Sequence, residues 1–408
     1  MKVTFVFPLS SEWAHPEFVS QCQSPDQFDL QLICNAENVI TRCAKLLNDA
    51  GVEVCIYYLS QFGKEVKEFQ HKFGFRLIRT PVKFMGGKFG REISPSLFRK
   101  LYRESQDIIH VHGYYGNDYF IDIHDMLAFF CKFNHQKFVL QYRGGEFPGS
   151  NSRKKIRYIL KPRAWVKRKA LEFADMVLSI NSLEIERLTN PRSPGYYGYN
   201  INKEKVKLLP NTVNVSHFRP IPKHVAAKIL KKDSKKPYLL YVGRLVHSKG
   251  IHHLISILPK LQQNVELLII GEGSFKDSLI EMSARANLKD RIKFIGFVQH
   301  SDLVFYYNLT DVLVLPTHNE AFGAILIEAL ACDTPSVATC VGGIPEILSD
   351  GVGLMVPPTD ETALLEAIDT VLSKRFHIDQ VARSKKLQMY SEENVAKQLI
   401  RIYEQILQ

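Results

Sequence analysis

The stretch from Asp311 to Leu348, DVLVLPTHNEAFGAILIEALACDTPSVATCVGGIPEIL, constrains the chain more than any other. Val312 to Leu315 is an apolar run of the length expected for a strand buried on both faces. Pro316 to Gly323 breaks the pattern as a loop. Ile325, Leu326, Ala329 and Leu330 then recur at helical spacing. Ser336 to Thr339 predicts a second strand, which leads into Gly342-Gly343-Ile344-Pro345-Glu346. Strand, loop, helix, strand and loop in that order place a helix N-terminus beside the carboxyl ends of parallel strands. Such an N-terminus carries unpaired N–H groups and partial positive charge, which suits an anion.

Two carboxylates frame this turn. Glu320 stands just before the predicted helix, and with Gly323 as its start Glu328 lies about 7 Å along its axis at roughly 1.5 Å per residue. Spacing alone leaves two readings open: a charge favourable to the helix dipole plus a solvated helix Glu, or two groups facing a ligand. The same strand-and-glycine rhythm recurs along the chain. Val3 to Phe7 predicts a first strand, followed by a long polar loop from Leu9 to about Asp29. A helix then ends at Ala50 before Gly51, and Val52 to Tyr58 is a second strand. Ile108 to Val111 runs into His112-Gly113, Phe138 to Tyr142 into Arg143-Gly144-Gly145-Glu146, and Ala174 to Ile180 into Asn181-Ser182. After a polar, Pro-bearing junction over 219–236 the series restarts with Tyr238 to Val242, Val265 to Ile270 and Ile292 to Val298. This rhythm specifies doubly wound α/β domains, and 408 residues suit two or three of them. A helix over Leu364 to Leu372 and a last one over Val395 to Leu407, capped by Ser391, complete the expectation.

Several positions carry candidate chemistry. Arg244 and Lys249 follow the strand that ends at Val242-Gly243. Two cations there suit a diphosphate, Arg by bidentate hydrogen bonds and Lys as a point charge, or they are merely solvated. The Arg143–Glu146 loop fits ligand approach and a tight turn equally. Gly271 and Gly273 lack the third glycine of a dinucleotide fingerprint. A strand-end histidine such as His112 is more often structural than functional.

The net charge of +11 is unevenly placed: residues 1–200 hold 28 Lys+Arg against 20 Asp+Glu, and the remainder 25 against 22. Residues 151–170 contain nine cations (Arg153, Lys154, Lys155, Arg157, Lys161, Arg163, Lys167, Arg168, Lys169) and no acid, with Trp165 among them. A solvated helix face, a nucleic-acid site and an anionic lipid surface are the competing readings. No recognised nucleic-acid module accompanies the charge, which leaves the solvated face and the lipid surface open. A second basic stretch, Lys64 to Arg103 with Met85-Gly86-Gly87 and Phe89, extends the same expectation. Seven cysteines without a CxxC pair argue against a zinc site or a disulfide framework and for reduced, cytoplasmic thiols. The N-terminal apolar run is shorter than a signal h-region, and no run approaches the roughly 18 apolar residues of a membrane span.

Glu-Ala-Phe-Gly-Ala-Ile-Leu-Ile-Glu over 320–328, with Gly-Gly-Ile-Pro-Glu over 342–346 and Gly-Arg…Lys-Gly over 243–250, resembles the Glu-x7-Glu signature of the retaining nucleotide-sugar glycosyltransferases of family four. The resemblance implies the GT-B fold, two doubly wound Rossmann-like domains facing each other across a cleft: 1–218 on the acceptor side, a linker over 219–236, 237–385 on the nucleotide-sugar side, and 386–408 crossing back. It implies transfer of a sugar from a nucleoside diphosphate donor with retention, without a resident cofactor. Arg244, Lys249 and the amides of Phe322, Gly323, Ala324 and Ile325 would take the leaving-group charge. Glu320 would hold the sugar hydroxyls, Glu328 the ribose, Phe297 and Val298 the base, and His112 would approach from the first domain. On the acceptor or membrane side the candidates are Arg143, Gly144, Lys154, Lys155, Arg157, Lys161, Arg163, Trp165, Lys167 and Arg168. Implied partners are the nucleotide sugar, a polyprenyl-linked, lipid or glycan acceptor and the anionic inner face of a membrane, with no nucleic acid. The chain carries Ser10-Ser11-Glu12-Trp13 where that family carries a Gly-Gly pair, and Pro210-Asn211-Thr212-Val213-Asn214 where it carries Pro-Asn-Gly-x-Asp. With no Asp-x-Asp in the sequence, no essential divalent metal is expected. A nucleotide-sugar epimerase of the same fold and a catalytically silent membrane-associated partner subunit are the alternatives.

Overall fold

A computed structural model describes residues 1–10, 22–30, 34, 39–85, 91–114, 123–142, 161–193 and 200–408. The candidates Ser11 to Trp13, Gly86, Gly87, Phe89, Arg143 to Glu146, Arg153 to Lys155 and Arg157 lie outside these residues. The chain divides into two compact units, Met1–Pro210 with Val395–Gln408, and Asn211–Asn394.

The first unit is built on strands β1 (Lys2–Ser10), β2 (Glu53–Ser60), β3 (Lys67–Gln70), β4 (Arg76–Pro81), β5 (Lys83–Met85), β6 (Arg91–Ile93), β7 (Ile108–Tyr114), β8 (Lys137–Tyr142), β9 (Met176–Ser179) and β10 (Val206–Leu208). Eight of them form one sheet in the order β10-β9-β8-β7-β1-β2-β4-β3, and β5 pairs with β6 separately. All ladders of the large sheet are parallel except β3 with β4. Both faces of β2 are covered. Val54, Ile56 and Tyr58 enter one core cluster while Cys55, Tyr57 and Leu59 enter the other. This alternation across two buried faces is why the strand reads as an unbroken apolar run rather than an alternating one. The helix Glu392–Leu407 closes one face, where Val395, Leu399, Tyr403 and Ile406 join the β1 and β7 side chains Phe5 and Ile108. His110 Nδ1 lies 2.6 Å from Tyr403 Oη, which assigns His110 to the core as its place in the apolar run suggests.

The second unit carries β11 (Tyr238–Val242), β12 (Glu266–Ile270), β13 (Ile292–Gly296), β14 (Val312–Leu315), β15 (Ser336–Thr339) and β16 (Leu354–Val356). They form one parallel sheet in the order β13-β12-β11-β14-β15-β16. The order reverses between β11 and β14, so the helices that follow these two strands pass to opposite faces and leave a crevice at their carboxyl ends.

Two expectations change. The division falls at Pro210 rather than at residue 218, and 219–236 is not a free linker. It holds the helix Lys223–Leu230 and is anchored to the second unit: Ile221 N donates to Asn308 Oδ1 (2.6 Å), Asn308 Nδ2 donates to Arg219 O (3.0 Å), and Lys223 pairs with Asp311 (2.6 Å). The junction reads as polar because its cations meet acids and carbonyls far away in sequence.

The basic face also contracts. Lys167, on the helix Lys161–Phe173, is 1% exposed and pairs with the fully buried Asp125 at 2.7 Å. Arg168 and Lys169 both pair with Glu172 at 2.6 Å, an acid just beyond the acid-free stretch 151–170. In the second basic stretch Arg79 is buried against Asp29 (2.5 Å), Arg76 meets Glu68 and Glu104, and Lys100 meets Glu104. Trp165 remains on the surface, 55% exposed. All seven cysteines are free thiols, and no described helix is long and apolar enough to cross a membrane.

A buried ion pair is costly to break from one side, because the remaining charge has no water. Asp125→Ala is therefore expected to destabilise the protein by about 3–5 kcal/mol in urea unfolding. The double variant Asp125→Leu, Lys167→Met should recover most of that loss.

Candidate functional site

The carboxyl ends of β11 and β14 converge on one cavity of about 230 Å³, lined by Val242, Gly243, Arg244, Lys249, Leu315, Glu320, Gly323, Ala324 and Ile325. Each element arrives for a local reason. Beyond β11 the chain turns through Gly243, and Tyr241 Oη donates to the carbonyl of Arg244 at 3.0 Å, fixing the start of the loop. Burial and the nearby Glu320 push the Tyr241 phenol up from its ordinary range, so it stays a donor. A 3-10 turn, His247–Lys249, then ends at Gly250 in the left-handed region (φ +66°). A side chain on Gly250 would place Cβ 1.9 Å from the carbonyl of Pro316. Only glycine lets the turn approach the β14 loop this closely.

Beyond β14, Thr317 is fully buried and its hydroxyl donates to Asn319 O (2.8 Å), while Thr339 Oγ1 donates to Thr317 O (2.5 Å). His318 N donates to Ser248 O (2.9 Å), joining this loop to the 247–249 turn. Glu320 is thereby held opposite Lys249, with Nζ 2.7 Å from Oε2 and both side chains less than one-fifth exposed. Glu320 also depends on the Gly342-Gly343 loop. Gly343 N donates to Glu320 O (3.2 Å), and a Cβ on Gly342 would stand 1.6 Å from that oxygen. The helix Ala324–Ala331 starts after Gly323 with no side-chain cap, so its first N–H groups are available to a ligand beside Gly323, Ala324 and Ile325 in the wall.

The electrostatics are asymmetric. Lys249 is balanced by Glu320, whereas Arg244 is exposed and meets no carboxylate among the described residues. The cavity thus offers one uncompensated guanidinium, one ammonium already oriented by a carboxylate, and a helix N-terminus. That set suits an anion of two or more charges.

Other candidates stand apart from the cavity. Glu328 is not a solvated helix acid: it is 7% exposed, accepts from Tyr307 Oη at 2.7 Å and from His300 Nε2 at 2.8 Å. Burial foremost, with Glu328, pushes Tyr307 well above its ordinary pKa and keeps it a donor. Phe322 is buried against Tyr390, their rings edge to face at 5.8 Å. Phe297, 69% exposed, and Val298 follow β13 at the sheet's carboxyl edge. His112 belongs to the first unit, 5% exposed on β7, with its ring stacked 4.9 Å from Phe7 and 4.1 Å from His110. Lys161 and Arg163 stand at the start of the Trp165 helix. The sequence reading missed Tyr241, Thr317, Tyr307 and His300, whose hydroxyls and imidazole read as filler within apolar or loop stretches.

Residues 223–394 match the family model for glycosyl transferases group 1. The second unit is a glycosyltransferase group 1 domain. Over 218 residues, half of this chain, the sequence is 33% identical to an uncharacterized glycosyltransferase of Methanocaldococcus jannaschii, covering 55% of it. It is 34% identical over 158 residues (38% of each chain) to a Mycobacterium tuberculosis glycogen synthase. Over 214 residues, 50% of this chain and 45% of the other, it is 27% identical to the gpi3 subunit of a phosphatidylinositol N-acetylglucosaminyltransferase from Schizosaccharomyces pombe. The chain thus spans about half the length of the curated relatives it matches. The whole fold resembles the sucrose-phosphate synthase of Thermosynechococcus elongatus (TM-score 0.71, 21% identity, 100% and 99% of the two chains). It resembles equally Anabaena HepE in complex with UDP (TM-score 0.72, 16% identity, 99% and 100%). These neighbours establish the expected fold class, GT-B with two parallel-sheet α/β units. Within the glycosyltransferase domain, the match to the family model covers every residue of the cavity wall.

Because Gly342 touches the Glu320 carbonyl, Gly342→Ala should displace the Glu320 turn. A loss of about 1–3 kcal/mol in thermal unfolding is expected, as for other overpacked sites, with the parallel sheet intact by circular dichroism.

Proposed function

We propose that the protein transfers a sugar from a nucleoside diphosphate sugar to an acceptor, with retention at the anomeric carbon. The observation that carries this reading is the convergence of Arg244, the Lys249–Glu320 pair and the uncapped Ala324 helix on one cavity. A departing diphosphate develops charge as the bond from the anomeric carbon to the phosphate oxygen breaks, and the electron pair leaves with the phosphate. Preoriented cations and N–H groups stabilise that charge more than the ground state, which is what accelerates the step. Glu320 has a second use: its carboxylate orients Lys249 and presents an acceptor to sugar hydroxyls at the reacting carbon. The amide of Phe322 lies 3.5 Å from Glu320 Oε1 and helps hold that orientation.

Glu328 is proposed to bind the ribose hydroxyls, with His300, half exposed beside it, yielding its contact to the incoming ligand. Phe297 and Val298 are proposed beside the base, and His112 at the sugar end of the donor. The UDP bound by the HepE relative in fold supports a nucleoside diphosphate as the ligand class. Protein cations take the place of a metal in this scheme, so adding or withholding Mg²⁺ and Mn²⁺ should leave turnover unchanged. The acceptor is proposed to be lipid-linked or presented at a membrane surface. Support comes from the likeness to a phosphatidylinositol N-acetylglucosaminyltransferase subunit and from the exposed Trp165 on a helix that begins with cations.

A thermal-shift screen of UDP, GDP and ADP sugars should show one nucleotide class stabilising the protein by about 2.7 kcal/mol at 100 times its dissociation constant. No shift with any of them would refute the donor assignment. Arg244→Ala, Lys249→Ala and Glu320→Ala should each lower turnover about a hundredfold or more, the loss of one key charge contact. The anomeric configuration of the product, read by NMR, decides retention. Full activity in all three variants would show that the cavity is not the reaction site.

Sedimentation with anionic vesicles at low salt should enrich the protein over neutral vesicles. Trp165→Ala should lower the bound fraction if that helix meets the lipid. Equal binding to both vesicle types would remove the membrane from the proposal.

A further inference from the structure

Near Lys249 and Glu320 in the chain stands a group of imidazoles that the proposed reaction does not use. One ring nitrogen from each of His252, His253 and His318 lies within 4.8 Å of the other two. Among the described residues no other group of three or more His, Cys, Asp or Glu side chains is placed to share an ion. We propose that these three histidines form a binding site for a zinc-type divalent cation, which ties the loop after β14 to the helix Ile251–Ile257.

The geometry of the ring nitrogens supports this. His253 Nε2 and His318 Nε2 are 3.2 Å apart. Two imidazole nitrogens on one tetrahedral zinc, each at about 2.05 Å, are separated by about 3.3 Å. The other nitrogen of His253, Nδ1, lies 2.9 Å from Glu361 Oε1 and donates to it. A carboxylate can only accept here, so the proton belongs on Nδ1 and the lone pair on Nε2, toward His318. This carboxylate–histidine pairing is the arrangement that orients and enriches a metal-bound imidazole. His252 Nδ1 is buried with no hydrogen-bond partner among the described residues, which is uncommon for a buried polar atom. Three imidazoles leave a fourth position for water.

The site is coupled to the cavity through the backbone. His318 stands two residues before Glu320, and its N–H is bonded to Ser248, next to Lys249. His253 stands on the helix that begins immediately after Gly250. An ion held by both would fix the two strands' loops relative to each other. Its role is therefore to hold the cavity's shape, and no step of sugar transfer passes through it.

The test uses the full chain without a histidine tag, stripped with chelator, dialysed and titrated calorimetrically with ZnCl₂. One equivalent is expected to bind saturably and to raise the midpoint of thermal unfolding. Co²⁺ in place of Zn²⁺ should give the visible absorption bands of a tetrahedral nitrogen-ligated site. His253→Gln and His318→Gln should each abolish both signals. Glu361→Gln keeps all three ligands and is expected to weaken zinc binding about tenfold to a hundredfold, which keeps the test decisive should either histidine variant misfold. Absence of saturable binding would overturn the site. So would zinc binding that is unchanged in His253→Gln, His318→Gln and Glu361→Gln.

Discussion

The reversal of strand order between β11 and β14 is the constraint from which the site follows. In a parallel sheet every strand's carboxyl end feeds a helix that must cover one face or the other. Where neighbouring strands send their helices to opposite faces, the sheet edge between them stays open. Here that edge holds Gly243 and Arg244 from one strand and the Pro316–Gly323 loop from the other. A cavity at that position needs no further design. What the residues add is its charge and its depth.

Depth comes from backbone contacts that a side chain would prevent. The 247–250 turn lies against Pro316 and the Gly342-Gly343 loop lies against Glu320 and Ala321. These approaches bring Lys249 and Glu320 from positions 71 residues apart to 2.7 Å. Pairing with Glu320 fixes the ammonium in place at a cost, since it cancels a charge that an anionic ligand would otherwise meet. Arg244 restores the balance because no acid among the described residues pairs with it. A rigid, half-neutralised lysine beside an unpaired arginine offers orientation and attraction from different groups, which two solvated cations would not.

Much of this was legible in the sequence because it depends on period and punctuation. The strands of both units appear as apolar runs ending in glycine or small polar residues, since burial on two faces removes any alternation. The Arg244, Lys249 and Glu320 cluster was legible too, through spacing after predicted strands and a resemblance carried by specific residues. What escaped depends on pairings between distant positions. Lys167 reads as one of nine surface cations, and only the fold shows Asp125 waiting for it in the core. The 219–236 segment reads as a linker because Asn308 and Asp311, which hold it, lie some ninety residues later. His252, His253 and His318 are likewise separated by a span that hides their proximity, although the pattern HSKGIHH over 247–253 gave a local hint.

The two glutamates of the Glu-x7-Glu spacing illustrate why position in sequence does not set chemistry. Glu320 precedes the helix, is about one-fifth exposed and balances a cation that a ligand can also contact. Glu328 lies in the second half of the helix, nearly sealed, with one oxygen given to Tyr307 and the other to His300. Tyr307 is fully buried and has nowhere else to donate, so its half of that arrangement is permanent. His300 is half exposed and can leave at little cost, so the other oxygen is the one that can change partners. A ligand hydroxyl reaching Glu328 would therefore exchange one hydrogen bond for another while the carboxylate stays anchored from beneath. One carboxylate thus stands before the helix paired with a cation, the other stands on it with one permanent and one replaceable hydrogen bond, and burial is what separates the two.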